Sequence, residues 1–157
     1  EKGYSKEEIL LKINTKGRDN ARRPMQWTTE KNAGFTTGTP WIDVNPNYQT
    51  INVAAALADK NSLFYTYQEM IRLRKEHPLI VWGNFELLET VDEVISFYRT
   101  YGEERWLVVT NFSDKVQPFS ADVHVEQVMI ENMPTDVTAL ADYSLAPWQA
   151  FVVKVSQ

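Results

Sequence analysis

Cysteine is absent from this sequence of 157 residues, and only two histidines occur in it, His77 and His124. Without cysteine the chain has no disulfide, no thiolate metal site and no cysteine nucleophile. The absence is compatible with a reducing compartment, and we expect a cytoplasmic protein. His77 closes a helical stretch beside Pro78 and His124 lies in an alternating strand pattern, so we interpret both as structural.

Long apolar runs and extended basic stretches are also missing. No run approaches the roughly 18 apolar residues that a membrane-spanning helix needs. The net charge of −5 repels nucleic acid and anionic membranes, and only Arg22 and Arg23 offset it locally. We therefore expect no nucleic-acid partner and no membrane partner, and a neutral ligand fits best.

A complete active site is missing as well. Hydrolases need either a pair of carboxylates or a nucleophile with a histidine beside it. The acidic residues are instead scattered over helix faces and turns, as in Glu7, Glu8, Glu103 and Glu104. No His, Asp or Glu spacing matches a metal site. We predict no catalytic residue, no metal site and no cofactor in this chain.

Apolar material for a core is plentiful, since 43% of the residues are hydrophobic and 12% are aromatic. The length suits one domain, or a small domain with a remnant of another. The sequence opens at Glu1 without methionine, and we interpret it as a piece of a longer protein.

The first element predicted is a short helix. Ser5 and Glu8 have the spacing of a capping box, and Ile9 and Ile13 begin an apolar stripe. Gly17 is expected to end this helix in the left-handed conformation.

A long loop and two further helices follow. Turn-forming residues and aromatics from Thr28 to Tyr48 show no periodicity, which predicts an ordered loop. Helical patterns resume near Ile51 and from about Ser62 to Glu76, before Pro78. Arg74 falls in the middle of the apolar face of the last helix, and we expect it to pair with another part of the parent protein.

After residue 78 the pattern changes to that of strands, with Gly102 in a hairpin turn. The whole chain is therefore predicted to be α+β, with a helical part at residues 1–78 and an antiparallel β-sandwich at 79–157. Five stretches are rich in β-branched and aromatic residues and are separated by turn signals: Phe85–Glu89, Val94–Tyr101, Trp106–Phe112, Glu126–Ile130 and Ala150–Val155.

Hydrogen-bonding side chains concentrate in the segment Lys16–Trp27, between the first helix and the loop. The segment contains guanidinium groups, a carboxylate, an amide and an indole N–H, which hold hydroxyls in fixed directions. Aromatic faces nearby suit the apolar side of a sugar ring. The segment predicts a sugar site, and the alternative is a surface cluster that braces the loop.

The same segment, KGRDNARRPMQW, resembles the α-glucosidase branch of the α-amylase family, which includes oligo-1,6-glucosidases, dextran glucosidases and trehalose-6-phosphate hydrolases. The resemblance covers most of residues 16–83 closely and the β domain more loosely. It continues through Asn32–Thr36, Pro40–Trp41, Val44–Tyr48, Ile51–Val53 and Leu73–Lys75.

The resemblance implies a fold and a reaction. In that family a (β/α)₈ barrel precedes a β-sandwich, so residues 1–78 would be the last helices of the barrel and 79–157 the C-terminal domain. The reaction is retaining hydrolysis of a terminal α-glucoside by two carboxylates that precede this segment. The chain is therefore expected to be inactive alone, with the upstream barrel and a small oligosaccharide as its partners.

The resemblance also implies roles for individual residues. Arg18 matches the family arginine that holds the far hydroxyl of the terminal glucose, together with an upstream aspartate. Asp19 and Arg22 match the same motif and are expected to orient Arg18 and brace the loop. Arg23 departs from the family, which usually has threonine before Pro24, and it leaves open whether the substrate is anionic.

Three functions stay open at this point. The leading one is hydrolysis of terminal α-1,6-glucosidic bonds, and the second is hydrolysis of trehalose 6-phosphate, whose enzymes residues 54–59 and 64–68 also resemble. The third is an independent carbohydrate-binding sandwich that uses Trp82, Trp106 and Trp148. Trp106 opens an almost wholly apolar strand and is expected in the core, which argues against the third function.

Overall fold

The computed structural model describes residues 3–134 and 139–156, apart from the side chains of Lys16 and Asn20. The chain divides into two compact units, Glu1–Thr66 and Tyr67–Gln157. We describe each unit by itself.

The first unit opens with helix α1, Lys6–Lys16, and the predicted capping box is confirmed. The Ser5 hydroxyl accepts from the Glu8 amide at 3.2 Å, and the Glu8 carboxylate accepts from the Ser5 amide at 2.8 Å. Gly17 ends the helix, but the left-handed conformation was wrong, because φ is −65° and ψ is 134°. A Cβ at Gly17 would lie 2.4 Å from the Ile13 carbonyl oxygen, so glycine is required by close approach.

The predicted loop contains a turn at Lys31–Gly34, in which Asn32 and Ala33 have positive φ, and a 3₁₀ turn at Pro46–Gln49. Within the described residues 28–45 the loop has no α-helix or strand. The amides of Trp27 and Thr28 both donate to the carbonyl of Ala33, which is fully buried. These bonds order the loop around one small apolar residue.

Two helices follow as predicted, α2 at Val53–Ala58 and α3 at Leu63–Glu76. The side chain of Asn52 caps α2 by accepting from the Ala55 amide at 2.8 Å. Helix α3 crosses the border between the two units.

A short helix that was not predicted, α4 at Pro78–Trp82, precedes the first strand. Proline occupies the first turn of α4, where its missing N–H costs nothing. Arg99 then satisfies carbonyl groups near the end of α4, because its guanidinium donates to Leu79 O at 3.3 Å and to Ile80 O at 3.1 Å.

The second unit contains a five-stranded antiparallel sheet in the order β1-β2-β3-β7-β5 and a two-stranded sheet formed by β4 and β6. The five predicted strands are confirmed within about two residues at each end, whereas β4 and β6 were missed. The bounds are β1 Asn84–Leu87, β2 Val94–Tyr101, β3 Glu104–Asn111, β4 Gln117–Phe119, β5 His124–Glu131, β6 Tyr143–Leu145 and β7 Ala150–Ser156.

Gly102 turns the chain between β2 and β3, as predicted, with φ at +61°. Tyr101 pairs with Glu104 across the turn, so the loop has two residues. A positive φ at the first loop residue suits glycine.

The larger sheet buries side chains on both faces. One face, with Leu107, Val109 and Val153, forms a core with Phe119 of β4 and Leu145 of β6. Side chains of this size each contribute on the order of 1.5–3 kcal/mol when they are fully buried. The packing of one antiparallel sheet on another is consistent with the predicted sandwich.

The opposite face of the larger sheet packs against α3 and α4. Trp106 of β3 is 2% exposed and contacts Leu73 and Leu79 in a second buried cluster. The expectation that Trp106 lies in the core is confirmed. Glu104 accepts a hydrogen bond from the Trp106 indole at 2.9 Å and lies 3.1 Å from Nδ1 of His77.

Candidate sugar-binding site

Arg18, the residue predicted to bind sugar, lies between α1 and a 3₁₀ turn at Asp19–Arg22. Its carbonyl accepts from the Ala21 amide at 3.2 Å, and its side chain is exposed. Among the described residues the guanidinium of Arg18 has no hydrogen bond or ion pair. All of its donors are therefore available to a ligand or to another part of the protein.

Asp19 and Arg22 pair with each other across the 3₁₀ turn. The two side chains approach to 3.8 Å and are 76% and 48% exposed, so the pair contributes only about 0.2–1 kcal/mol. Arg22 also places Cζ 5.0 Å from the ring centre of Trp41, a cation–π contact that joins the turn to the loop. The prediction that Asp19 and Arg22 orient Arg18 stays a prediction.

Arg23 faces the loop backbone, where its Nη1 donates to the carbonyl of Asp43 at 3.2 Å. Its Nε is buried without a hydrogen-bond partner among the described residues. Arg23 lines a cavity of about 460 Å³ together with Pro24, Gln26 and Asn52. The contact with Asp43 makes Arg23 a brace between the segment and the loop.

The rest of the segment is fastened to the start of α2. The carbonyls of Gln26 and Trp27 accept from the amides of Val53 and Ala54 at 2.9 and 3.0 Å. The side chain of Gln26 donates to the carbonyl of Ile51. These backbone anchors hold the polar segment on a fixed support, as a binding site requires.

The contacts of Trp41 and Asp43 with this segment were missed at the sequence level. The arginines and the aromatic-rich loop were both recognised, but their pairing depends on the path of the loop. No spacing between Arg22 and Trp41, or between Arg23 and Asp43, predicts that path.

Shifted pKa values occur at ion pairs of the second unit. A hydrogen bond from Arg72 lowers the pKa of Glu69, and one from Lys154 lowers the pKa of Glu126. Both carboxyl groups lie on exposed element faces, so the shifts report ion pairing. Within the described part of the chain, no group of three His, Cys, Asp or Glu side chains is placed to hold a metal ion.

The tryptophans named for a carbohydrate-binding module are not equally accessible. Trp82 and Trp148 are 74% and 57% exposed, whereas Trp106 is 2% exposed and is excluded from any surface platform. No helix in the described residues is long and apolar enough to cross a membrane.

Comparison with known families decides the broad assignment. The profile of the alpha amylase catalytic domain matches residues 1–83, which is more than half of the chain. The chain belongs to the alpha-amylase family. The resemblance found in the segment Lys16–Trp27 is thereby confirmed.

Members of the alpha-amylase family with curated names are similar to nearly the whole chain. A glucan 1,6-alpha-glucosidase of Streptococcus pneumoniae is 49% identical over 155 residues, which cover 99% of this chain and 29% of that protein. An oligo-1,6-glucosidase of Parageobacillus thermoglucosidasius is 47% identical over 161 residues, with the same two coverages. The chain spans about three tenths of the length of these relatives.

A solved member of the family extends the comparison to the fold. The crystal structure of trehalose-6-phosphate hydrolase from Bacillus licheniformis has a TM-score of 0.83 and 36% identity, covering 99% of this chain and 29% of that one. The mixed helix and antiparallel-sheet fold is thus a family fold. The assignment of the helices to a barrel, and a boundary near residue 78, remain predictions.

Proposed function

We propose that the chain is the C-terminal part of a retaining α-glucosidase that hydrolyses terminal α-1,6-glucosidic bonds of short oligosaccharides. The observation that carries this proposal is the exposed guanidinium of Arg18, which has no partner among the described residues, on an anchored segment of an alpha-amylase family chain. The names of the relatives, which specify 1,6-glucosidases, support the bond type.

In this proposal Arg18 binds the hydroxyl that lies across the glucose ring from the anomeric carbon. A guanidinium donates charge-assisted hydrogen bonds, each worth roughly 1.5–3 kcal/mol. An aspartate from the preceding polypeptide shares the same hydroxyl. A sugar that lacks this hydroxyl leaves buried polar groups unpaired and is rejected.

Bond cleavage in this proposal belongs to the polypeptide that precedes the chain. A retaining glycosidase needs one carboxylate to attack the anomeric carbon and one acid to protonate the leaving oxygen. Asp19, the carboxylate next to Arg18 in the sequence, is paired with Arg22. We therefore propose that the 157-residue chain has no hydrolytic activity alone.

The partners in this proposal are a small oligosaccharide and the upstream barrel of the same polypeptide, without nucleic acid or membrane. The net charge of −5 and the uncharged ligand support it. A cytoplasmic location remains a prediction, which fractionation of the cells that produce the enzyme would test.

The second candidate is hydrolysis of trehalose 6-phosphate. The likeness to the Bacillus licheniformis enzyme and the extra cation of Arg23 favour it. Against it, Arg23 donates to the Asp43 carbonyl on the loop, which engages part of its guanidinium. A substrate phosphate would compete with that contact.

One pair of assays tests the proposed function. The full-length enzyme is expected to turn over isomaltose faster than phosphorylated trehalose, and the 157-residue chain neither. Preference for phosphorylated trehalose would select the second candidate, and turnover by the chain alone would overturn the placement of the carboxylates. Saturable quenching of tryptophan fluorescence by glucan would instead support the independent binding module.

A further inference from the structure

Trp41 in the long loop presents its indole ring to solvent. It is 85% exposed, the highest value among the large apolar residues that the structure describes. Within the same described residues, no hydrogen bond involves its indole N–H. Apolar residues that are exposed one at a time are common and need no explanation by themselves. Trp41 differs from them because a side chain of the candidate sugar site holds its ring.

That side chain is Arg22, whose guanidinium lies over one face of the indole. Its Cζ is 5.0 Å from the ring centre, within the roughly 6 Å at which a cation is attracted to an aromatic face. The indole has a second face, which the high exposure of Trp41 leaves open. Arg22 belongs to the same polar segment as Arg18, so this contact joins the indole to the candidate site.

The backbone on both sides of Trp41 is fixed as well. Two residues after it, the carbonyl of Asp43 accepts from Nη1 of Arg23 at 3.2 Å. Before it, the side chain of Asn32 donates to the carbonyl of Gly38 at 2.8 Å. A ring that is held from both sides loses little further freedom when a ligand binds, which favours binding.

A sugar ring is the occupant that this surface fits. The C–H face of a sugar is apolar and packs on an aromatic face, while the hydroxyls at its edge accept from an indole N–H or a guanidinium. Arg22 keeps donors available beside the indole, because its side chain is 48% exposed. A nucleic-acid base would also stack on tryptophan, but the net charge of −5 repels its phosphates.

The sugar unit that meets Trp41 follows from the order of the segment. Under the proposed function, Arg18 holds the far hydroxyl of the terminal glucose. Arg22 comes four residues later, across the 3₁₀ turn, and a rise of about 2.0 Å per residue separates the two backbone positions by about 8 Å. A terminal glucose carries no further sugar at its far hydroxyl, so any second ring lies on the other side of the scissile bond.

We propose that the open face of Trp41 stacks on the sugar unit that leaves when the bond is cleaved, and that Arg22 is a positioning residue for the indole. This inference rests on the proposed function, to which it adds a residue that recognises the leaving group. Burial of roughly 60 Å² of apolar surface between the indole and the sugar corresponds to about a tenfold gain in affinity.

Kinetics of the full-length enzyme with Trp41→Ala test the inference. The two probes are isomaltose, which has a leaving sugar, and deoxynojirimycin, an inhibitor of the size of one glucose ring. We expect Trp41→Ala to raise KM for isomaltose by about tenfold, and to leave kcat and the inhibition constant of deoxynojirimycin within about twofold. Trp41→Phe keeps an aromatic face and is expected to recover most of the lost affinity.

Phe112→Ala is the matched control, because Phe112 is an aromatic residue of the second unit that is 56% exposed. We expect it to leave KM, kcat and the inhibition constant unchanged. Two results would overturn the inference. One is an unchanged KM in Trp41→Ala, and the other is a parallel rise in KM and in the inhibition constant, which would show that Trp41 only supports the loop.

The proposed function is judged separately, by turnover of isomaltose and of phosphorylated trehalose in the unsubstituted enzyme. Both substrates are disaccharides with a leaving sugar, so the change in KM is measured with whichever of them the enzyme hydrolyses. Failure of the proposed bond type is therefore distinct from failure of the stacking role, which the ratio of KM to the inhibition constant decides.

Discussion

At the scale of single residues, two buried serines differ in whether their hydroxyls are bonded. Ser96 in β2 is 0% exposed, and its hydroxyl has no partner among the described residues. Ser113 is 5% exposed, and its hydroxyl donates to Oδ1 of Asn111 at 2.8 Å. A buried polar group without a hydrogen bond costs free energy, whereas a bonded one stabilises the fold.

The substitution Ser96→Ala is therefore expected to be neutral or to raise the free energy of unfolding by up to about 1 kcal/mol. Ser113→Ala is the matched control and is expected to lower it by about 1 kcal/mol. Urea unfolding measures both variants. A clear loss of stability in Ser96→Ala would show that its hydroxyl is bonded in solution.

At the scale of elements, Glu104 joins the α3–α4 junction to strand β3. Its carboxylate accepts from the Trp106 indole and lies against His77. Removing the carboxylate leaves a buried N–H without its acceptor, so Glu104→Ala is expected to cost about 1–3 kcal/mol of unfolding free energy. Glu103→Ala, at the exposed turn next to it, is expected to stay within about 0.5 kcal/mol of the parent.

A second prediction concerns the pairing of β5 with β7. A hydrogen bond from Lys154, 2.8 Å away, lowers the pKa of Glu126 in the folded state. A carboxyl group with a lowered pKa stabilises the fold above its ordinary pKa of about 4.3, and the contribution is lost as pH falls through the folded-state pKa.

Glu126→Gln is therefore expected to lower the Tm slightly at neutral pH. In strong acid the carboxyl group of Glu126 is protonated and as neutral as the amide of glutamine, so no difference in Tm is expected there. The control variant Glu103→Gln is expected to show no Tm difference from the parent that disappears in acid. A Tm difference that persists unchanged in strong acid would contradict the ionic origin of the effect. Differential scanning calorimetry across the acid range makes the comparison.

Elements with strong local signals were predictable, and those set by tertiary context were not. The capping box of Ser5 and Glu8 needs only four neighbouring residues, so its spacing sufficed. Helix α4 was missed because Pro78 ends one helix and also starts the next one. Strands β4 and β6 have three residues each, which is too short for a periodic pattern.

The candidate site shows the same limit. The position of Arg18 followed from a motif, whereas the partners of Arg22 and Arg23 depend on a loop of about twenty residues whose path has no local code. The charge of Arg23 does not predict that its side chain points toward the carbonyl of Asp43.

At the scale of the whole molecule, the chain spans about three tenths of the length of its relatives. The first unit holds the polar segment around Arg18, and the second holds a sheet that buries side chains on both faces. Under the proposed function, bond cleavage requires polypeptide beyond these residues.

The substitution Arg23→Thr in the full-length enzyme tests whether Arg23 braces the loop or binds a substrate phosphate. Threonine is the residue that the family resemblance implies before Pro24, and the guanidinium of Arg23 donates to the carbonyl of Asp43 on the loop. We expect kcat/KM for isomaltose to change by less than about tenfold, which is less than the change that loss of one charge-assisted hydrogen bond would cause. A loss specific to a phosphorylated substrate would instead assign Arg23 to phosphate binding.

The most direct measurement is a comparison of two substrates in the full-length enzyme with and without Arg18. One is an α-glucoside, and the other is its analogue without the hydroxyl across the ring from the anomeric carbon. The unsubstituted enzyme is expected to prefer the complete sugar in kcat/KM by about 10- to 150-fold, the equivalent of one charge-assisted bond, and Arg18→Gln to lose most of that preference. If Arg18→Gln keeps the full preference, Arg18 does not bind that hydroxyl and the central claim is wrong.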